Sequence, residues 1–193
     1  MYFIKEEFQK TLEIKKSKFI TYICPYSDFK NMMIRLKDEH PKARHFVYAY
    51  RYLNEFDQIV ENSSDDGEPK GTSGRPSLNV LSGGGIINTA VVVVRYFGGI
   101  RLGTGGLVKA YSDAVNLVLN ESNLILYEKL ERKRLVVSYS NLSIVEYTIS
   151  KFNVNIVEKI FNNDVIIILS ASKEEFMVFK KELIRECELI DEE

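Results

Sequence analysis

The run Ala90-Val91-Val92-Val93-Val94 limits what this chain can fold into more than any other stretch. Five consecutive apolar residues, four of them β-branched, suit a buried strand. Two segments dense in glycine and charge flank it. Ser64-Asp65-Asp66-Gly67-Glu68-Pro69-Lys70-Gly71-Thr72-Ser73-Gly74-Arg75-Pro76 comes before, and Arg95-Tyr96-Phe97-Gly98-Gly99-Ile100-Arg101-Leu102-Gly103-Thr104-Gly105-Gly106 follows. The prolines and glycines of the first segment argue against a regular element across residues 66–75. A core strand leading into a glycine-rich loop and then a helix presents backbone N–H groups and basic side chains to an anion.

The rest of the chain is read around residues 88–96 as the core strand. Residues 18–24 and 46–53 carry the β-branched and aromatic residues of strands, with a third strand over 56–60. Between the first two, Ser27-Asp28 can cap a helix with Phe29, Met32, Met33 and Leu36 on its apolar face, and Pro41 ends it. Pro76 suits the start of a short helix that Gly83-Gly84-Gly85 closes. After the second glycine segment, Leu107, Val108, Tyr111, Ala114, Val115, Val118 and Leu119 recur at helical spacing.

A charge-rich stretch, Glu128 to Arg134, marks a junction, so the expected domains are 1–128 and 129–193. The second half reads as strand 135–139, a helix through Leu142, Val145, Ile149 and Phe152, a hairpin turning at 162–164, and a last helix. That helix opens with the capping box Ser172-x-x-Glu175 and continues through Phe176, Phe179, Leu183 and Cys187. The order β-α-β-β-α is most simply a small sheet covered on one face by two helices, a split βαβ arrangement.

A net charge of −1 gives no global attraction to nucleic acid or membrane, so any anion binding has to come from a local patch. Lys5, Glu6 and Glu7 interrupt any N-terminal signal core, and no apolar run approaches the roughly 20 residues that span a bilayer. Cys24 and Cys187 lack zinc spacing and read as free thiols of a reducing compartment. A cytoplasmic protein is the expectation, with no membrane partner.

Two nucleotide motifs fail here. Gly98 and Gly103 have P-loop spacing, but Thr104 occupies the lysine position; Gly103 and Gly105 begin a dinucleotide fingerprint, but Val108 fills the third glycine position. No cofactor is therefore expected. A generic anion site remains, with Arg75, Arg95, Arg101 and Lys109 as phosphate contacts and the N–H groups of Gly98, Gly99, Gly103, Gly105 and Gly106 assisting. Lys70 can reach it from the first segment. The plainer reading makes the glycines mere tight turns and close packing positions.

Asp65, Asp66 and Glu68 offer hard oxygen ligands, but no remote carboxylate or histidine stands out as a further ligand, so no metal is expected. An Asx turn, with acids pairing to Arg75, Arg95 or Arg101, accounts for them. Ser64, Thr72, Ser73 and Thr104 offer hydroxyls and His45 a base, yet there is no G-x-S-x-G elbow, and no catalytic residue is assigned. His40 fits a helix-end dipole contact. Arg44, Phe46, Tyr48 and Tyr50 share one strand face, which either stacks bases or packs on helices.

Both long segments, with Ser17-Lys18-Phe19-Ile20 and His45-x-x-Tyr48-Ala49-Tyr50-Arg51, closely resemble the IMPACT/YigZ family over residues 15–120. The resemblance implies an α+β protein. Its N-terminal domain would have the ribosomal protein S5 domain 2-like fold with a left-handed βαβ crossover, where pattern alone favours a right-handed one. Its C-terminal domain would be ferredoxin-like, similar to domains of elongation factor EF-G. Arg44, Phe46 and Val47 depart from the family's Thr-His-Asn-Cys, so no polar or thiol role is expected there. Eukaryotic members act in translational stress control through an added N-terminal RWD domain. This chain opens directly on the signature domain, and that particular role is not expected of it.

The resulting expectation is a module that binds RNA or a ribosomal surface and regulates translation, with Asp65, Asp66 and Glu68 holding the two segments in register. One alternative is a metal-assisted hydrolase or phosphoryl-transfer enzyme using those three acids. Another is a protein-interaction module presenting its C-terminal helices.

Overall fold

The structure, a computed structural model, describes residues 1–183 and 187–191. Two compact units divide the chain, Met1–Tyr127 and Glu128–Glu193.

In the first unit the elements run β1 (Tyr2–Phe3), β2 (Phe8–Ile14), β3 (Ser17–Pro25), α1 (Phe29–Glu39), β4 (His45–Leu53), β5 (Ile59–Ser64), α2 (Gly74–Gly83), β6 (Thr89–Tyr96), α3 (Gly103–Glu121) and β7 (Ile125–Leu126). Five strands form a sheet in the order β2-β3-β6-β4-β5, and every neighbouring pair is antiparallel. β3 and β4 are therefore parallel to each other, linked through α1, with β6 inserted between them. β1 and β7 form a separate two-stranded pair.

The position of β6 explains its sequence. Val91 and Val93 point into a core with Leu78, Leu81, Leu107, Tyr111 and Val115 of α2 and α3. Val92 and Val94 point the other way, into a core with Met32 and Leu36 of α1. All four valines are fully buried. A strand covered on both faces needs apolar residues at every position rather than at alternate ones. Full burial of each valine stabilises by about 1.5–3 kcal/mol, an upper estimate because unfolded chains are partly compact.

Several boundaries differ from the sequence reading. α2 begins at Gly74 rather than Pro76, because a carboxylate outside the helix satisfies its first N–H groups (described below). The third strand lies at Ile59–Ser64, later than 56–60. In α3, Val108 is exposed and Ala110 takes its place in the core. The sheet face carrying Phe46, Tyr48 and Tyr50 packs on α1 and Tyr26: the Phe29 ring lies 5.2 Å from Tyr48 and 5.3 Å from Tyr50. It is a packed face. His40 bonds the hydroxyls of Tyr22 (2.8 Å) and Tyr96 (3.0 Å), so its ring ties α1 to β3 and β6 rather than answering the helix dipole. Arg51 is buried and donates to Ile86 O at 2.8 Å, closing the loop after α2, while its Nε meets Glu61.

The second unit runs β8 (Leu130–Val137), α4 (Leu142–Ile149), β9 (Asn155–Phe161), β10 (Val165–Ser172), α5 (Lys173–Glu182) and β11 (Glu188–Asp191). Its antiparallel sheet has the order β11-β8-β10-β9, and Leu135, Val137, Ile167 and Leu169 pack with Val145, Phe176 and Phe179 of the two helices. The charge-rich junction is largely strand β8. Ser172 caps α5 by accepting from Glu175 N at 3.2 Å, but the Glu175 carboxylate accepts from Asn153 N instead of completing the box. The sequence reading extends this helix to Cys187. It stops at Glu182, residues 184–186 lie outside the described ones, and Cys187 immediately precedes β11.

Among the described residues, no helix is long and apolar enough to cross a membrane.

Candidate nucleic-acid interface

The first signature segment is fixed by its acids. Asp65 Oδ1 accepts from Ser73 N (3.1 Å), Ser73 Oγ (2.7 Å) and Gly74 N (2.8 Å), and its Oδ2 accepts from Gly71 N (2.7 Å). This carboxylate caps α2 from eight residues upstream. Burial alone would raise its pKa, but these donors together hold it below the ordinary carboxylate value. Asp66 ties the segment to β4: its Oδ2 accepts from Phe46 N at 2.6 Å, and its carbonyl accepts from His45 Nδ1 at 2.8 Å. A carbonyl only accepts, so Nδ1 of His45 carries the proton.

Only Glu68 reaches the second segment. Its Oε1 accepts from Arg95 Nη1 at 2.5 Å and from the Tyr111 hydroxyl at 2.9 Å. Both ion-pair side chains are buried, 4% and 6% exposed for Glu68 and Arg95. Burial, followed by the neighbouring Glu68 carboxylate, pushes the Tyr111 hydroxyl far above its usual pKa, so it remains a donor. The Arg95 guanidinium lies over Phe19 (5.3 Å) and Phe97 (5.7 Å), and its buried Nε has no hydrogen-bond partner among the described residues.

The glycines divide into two kinds. A Cβ on Gly98 would stand 2.1 Å from the Lys16 carbonyl carbon, and one on Gly74 would stand 2.7 Å from the Ser64 backbone. Those two exist for close packing. Gly99 and Gly103 instead have positive φ with open space around them, and Gly105 is also open. Gly106 is crowded only by Leu102 Cβ, at 3.1 Å.

A cleft of about 450 Å³ opens beside this junction. Arg44, His45, Glu68, Pro69, Arg95, Phe97, Arg101 and the first residues of α3 line it. The α3 N-terminus has no side-chain cap and no acid in its first turn. Neither a side-chain cap nor a first-turn acid therefore offsets its first N–H groups and the positive end of its dipole among the described residues. The cleft brings together Arg95, Arg101 and Gly103 of the expected anion contacts, and Glu68 of the acids. Arg75, Lys70, Lys109, Gly98, Gly99, Gly105, Gly106, Asp65 and Asp66 do not line it. Lys109 is exposed on α3 and pairs with Asp113 at 2.9 Å. Arg44 and Phe97 were not singled out as site residues by the sequence reading. The clue lay in their adjacency to His45 and to Arg95, each at an end of a strand.

Asp65, Asp66 and Glu68 are each occupied by protein donors and point to three different elements. Among the described residues, no group of three or more His, Cys, Asp or Glu side chains is placed to hold a metal ion.

A layered α+β domain with a basic cleft at the mouth of its core sheet, joined to a small sheet-and-helix domain, is the class of protein these features define. Residues 15–119 match the family model of the Impact N-terminal domain. The chain belongs to the IMPACT family. A similar relative, an IMPACT family member of Haemophilus influenzae, is 40% identical over 178 residues, covering 89% of this chain and 84% of that protein. The Escherichia coli IMPACT family member YigZ is 39% identical over 155 residues, covering 79% and 74%. A crystal structure of a hypothetical protein is similar over 100% of this chain and 97% of its own, at 32% identity and a TM-score of 0.70. The two-domain translational regulator Yih1 is a distant structural match, with 20% identity and a TM-score of 0.37 over 63% of this chain and 47% of its own.

Proposed function

We propose that this chain binds RNA or a ribosomal surface through the cleft and so takes part in regulating translation. One observation carries the reading: an uncapped helix N-terminus opens onto the same cleft as Arg44, Arg95 and Arg101. Backbone N–H groups and guanidinium forks directed at one space suit phosphate oxygens. With a net charge of −1 over the whole chain, this local concentration is what would draw a polyanion. Arg75, Lys70 and Lys109 are exposed outside the cleft and would extend the contact along a longer strand.

The finer fold relationships belong to the same reading. The antiparallel order with a β3-α1-β4 crossover around β6 supports an S5 domain 2-like assignment, whose left-handed crossover is part of the proposal. The order β11-β8-β10-β9 supports a ferredoxin-like second domain. A cytoplasmic location goes with such partners.

Fluorescence anisotropy with labelled RNA, together with co-sedimentation with ribosomes, tests the proposal across a salt series. A phosphate-dominated interface loses affinity steeply between about 50 and 200 mM salt. Arg101→Ala should lower the slope of log affinity against log salt by about one. No binding to RNA or ribosomes at low salt overturns the reading.

A further inference from the structure

Phe97 at the cleft mouth is 56% exposed, although it follows a strand whose apolar side chains are otherwise buried. The Arg95 guanidinium lies 5.7 Å from its ring centroid. Arg95 itself is more than nine-tenths buried. Glu68 occupies only its Nη1, and its Nε has no hydrogen-bond partner among the described residues. A buried donor left unsatisfied on a residue that lines a cleft asks for an acceptor. Across the same cleft are Arg101 and the uncapped first turn of α3. The cleft thus combines an aromatic face with converging anion donors, in a volume suited to a small ligand rather than a double helix.

We infer that the cleft takes one nucleotide of single-stranded RNA, with the base on Phe97 and the phosphate between Arg101 and the α3 N-terminus. This rests on the phosphate-binding reading above and narrows it. A duplex keeps its base faces stacked inside, so only a single strand offers a face to an exposed ring. With a small shift of the side chain, the phosphate or a base edge supplies the acceptor that the buried Arg95 Nε lacks.

The test compares labelled single-stranded oligouridylate and oligoadenylate with a blunt RNA duplex of equal length, at low salt, on the full chain. The single strands should bind more tightly than the duplex. Phe97→Leu should weaken them roughly ten-fold or more, the scale of losing one base–aromatic stack. Phe97→Tyr, which keeps the ring, should restore binding, and matched thermal melts show that both variants fold. Equal binding of single strand and duplex, or an unchanged affinity in Phe97→Leu, overturns this inference and leaves the broader reading intact. Loss of all RNA binding by the unmodified chain, with ribosome binding retained, also overturns it. Absence of both removes the broader reading with it.

Discussion

Glu68 and Arg95 meet in a buried ion pair that joins the two glycine-bearing segments, with the Tyr111 hydroxyl on the same carboxylate oxygen. The pair sits where β6 leaves the core, so the cleft and the domain interior share one electrostatic contact.

Replacing Glu68 by Leu leaves a buried guanidinium without its counter-charge. Such a change should destabilise the domain by about 3–5 kcal/mol. Arg95→Leu should cost a comparable amount. The double replacement, which removes both charges, should cost less than either single one, and urea unfolding of the four proteins in a double-mutant cycle measures this directly.

Asp65 predicts a pH dependence. Its folded pKa is below the unfolded value of about 3.9, so its contribution is fully present above that value and is lost as pH falls through the folded pKa. Asp65→Asn should cost about 1–2 kcal/mol at pH 7, as loss of a charged helix cap does. The gap between the two proteins should hold steady from pH 5 to 8 and narrow below about pH 4. Denaturant midpoints across that range report it, and a gap that widens in acid contradicts the assignment.

Two glycine substitutions should move in opposite directions. Gly98→Ala drives a Cβ into the Lys16 backbone, which cannot rotate away, and should cost at least about 3 kcal/mol or abolish folding. Gly105→Ala meets nothing within 4 Å and lies in a helix, so it should stabilise by about 0.5–1 kcal/mol. Thermal melts distinguish the two.

Cys24 should be inert in the native state. Burial, reinforced by the Glu7 and Asp28 carboxylates, pushes its thiol pKa up to about 12. Only the thiolate reacts with disulfide reagents. Peptide mapping after treatment at neutral pH should find Cys24 unmodified until the protein is unfolded.

The sequence made the valine run legible as a core strand because both of its faces are covered. β2 was not legible, since its hairpin turns at Lys15 and Lys16, both with positive φ and neither glycine nor asparagine. Turn chemistry gave no signal there. Arg95 reads in sequence as either an anion contact or a partner for the acids, and the fold gives it a partner in Glu68 while leaving it on the wall of the cleft. Its partner, Glu68, was among the acids considered, but the choice between Arg75, Arg95 and Arg101 needed coordinates. Gly98 was visible as a glycine, while its reason, the backbone of Lys16 more than 80 positions earlier, is a long-range fact. The strand β11 begins just past the helical pattern, which runs on to Cys187, and its four residues carry no strand signal of their own.

The central place of β6 also sets an order of events. Its partners β3 and β4 both precede it and do not pair with each other. Until residue 89 is available, the chain can form two separate hairpins, each with an open edge. Arrival of β6 closes both edges at once and brings Arg95 to Glu68, and the cleft is completed when Phe97 to Leu107 follow. During synthesis, a nascent chain truncated before β6 should behave as two loosely ordered hairpins, and cooperative unfolding should appear only once the whole strand has emerged.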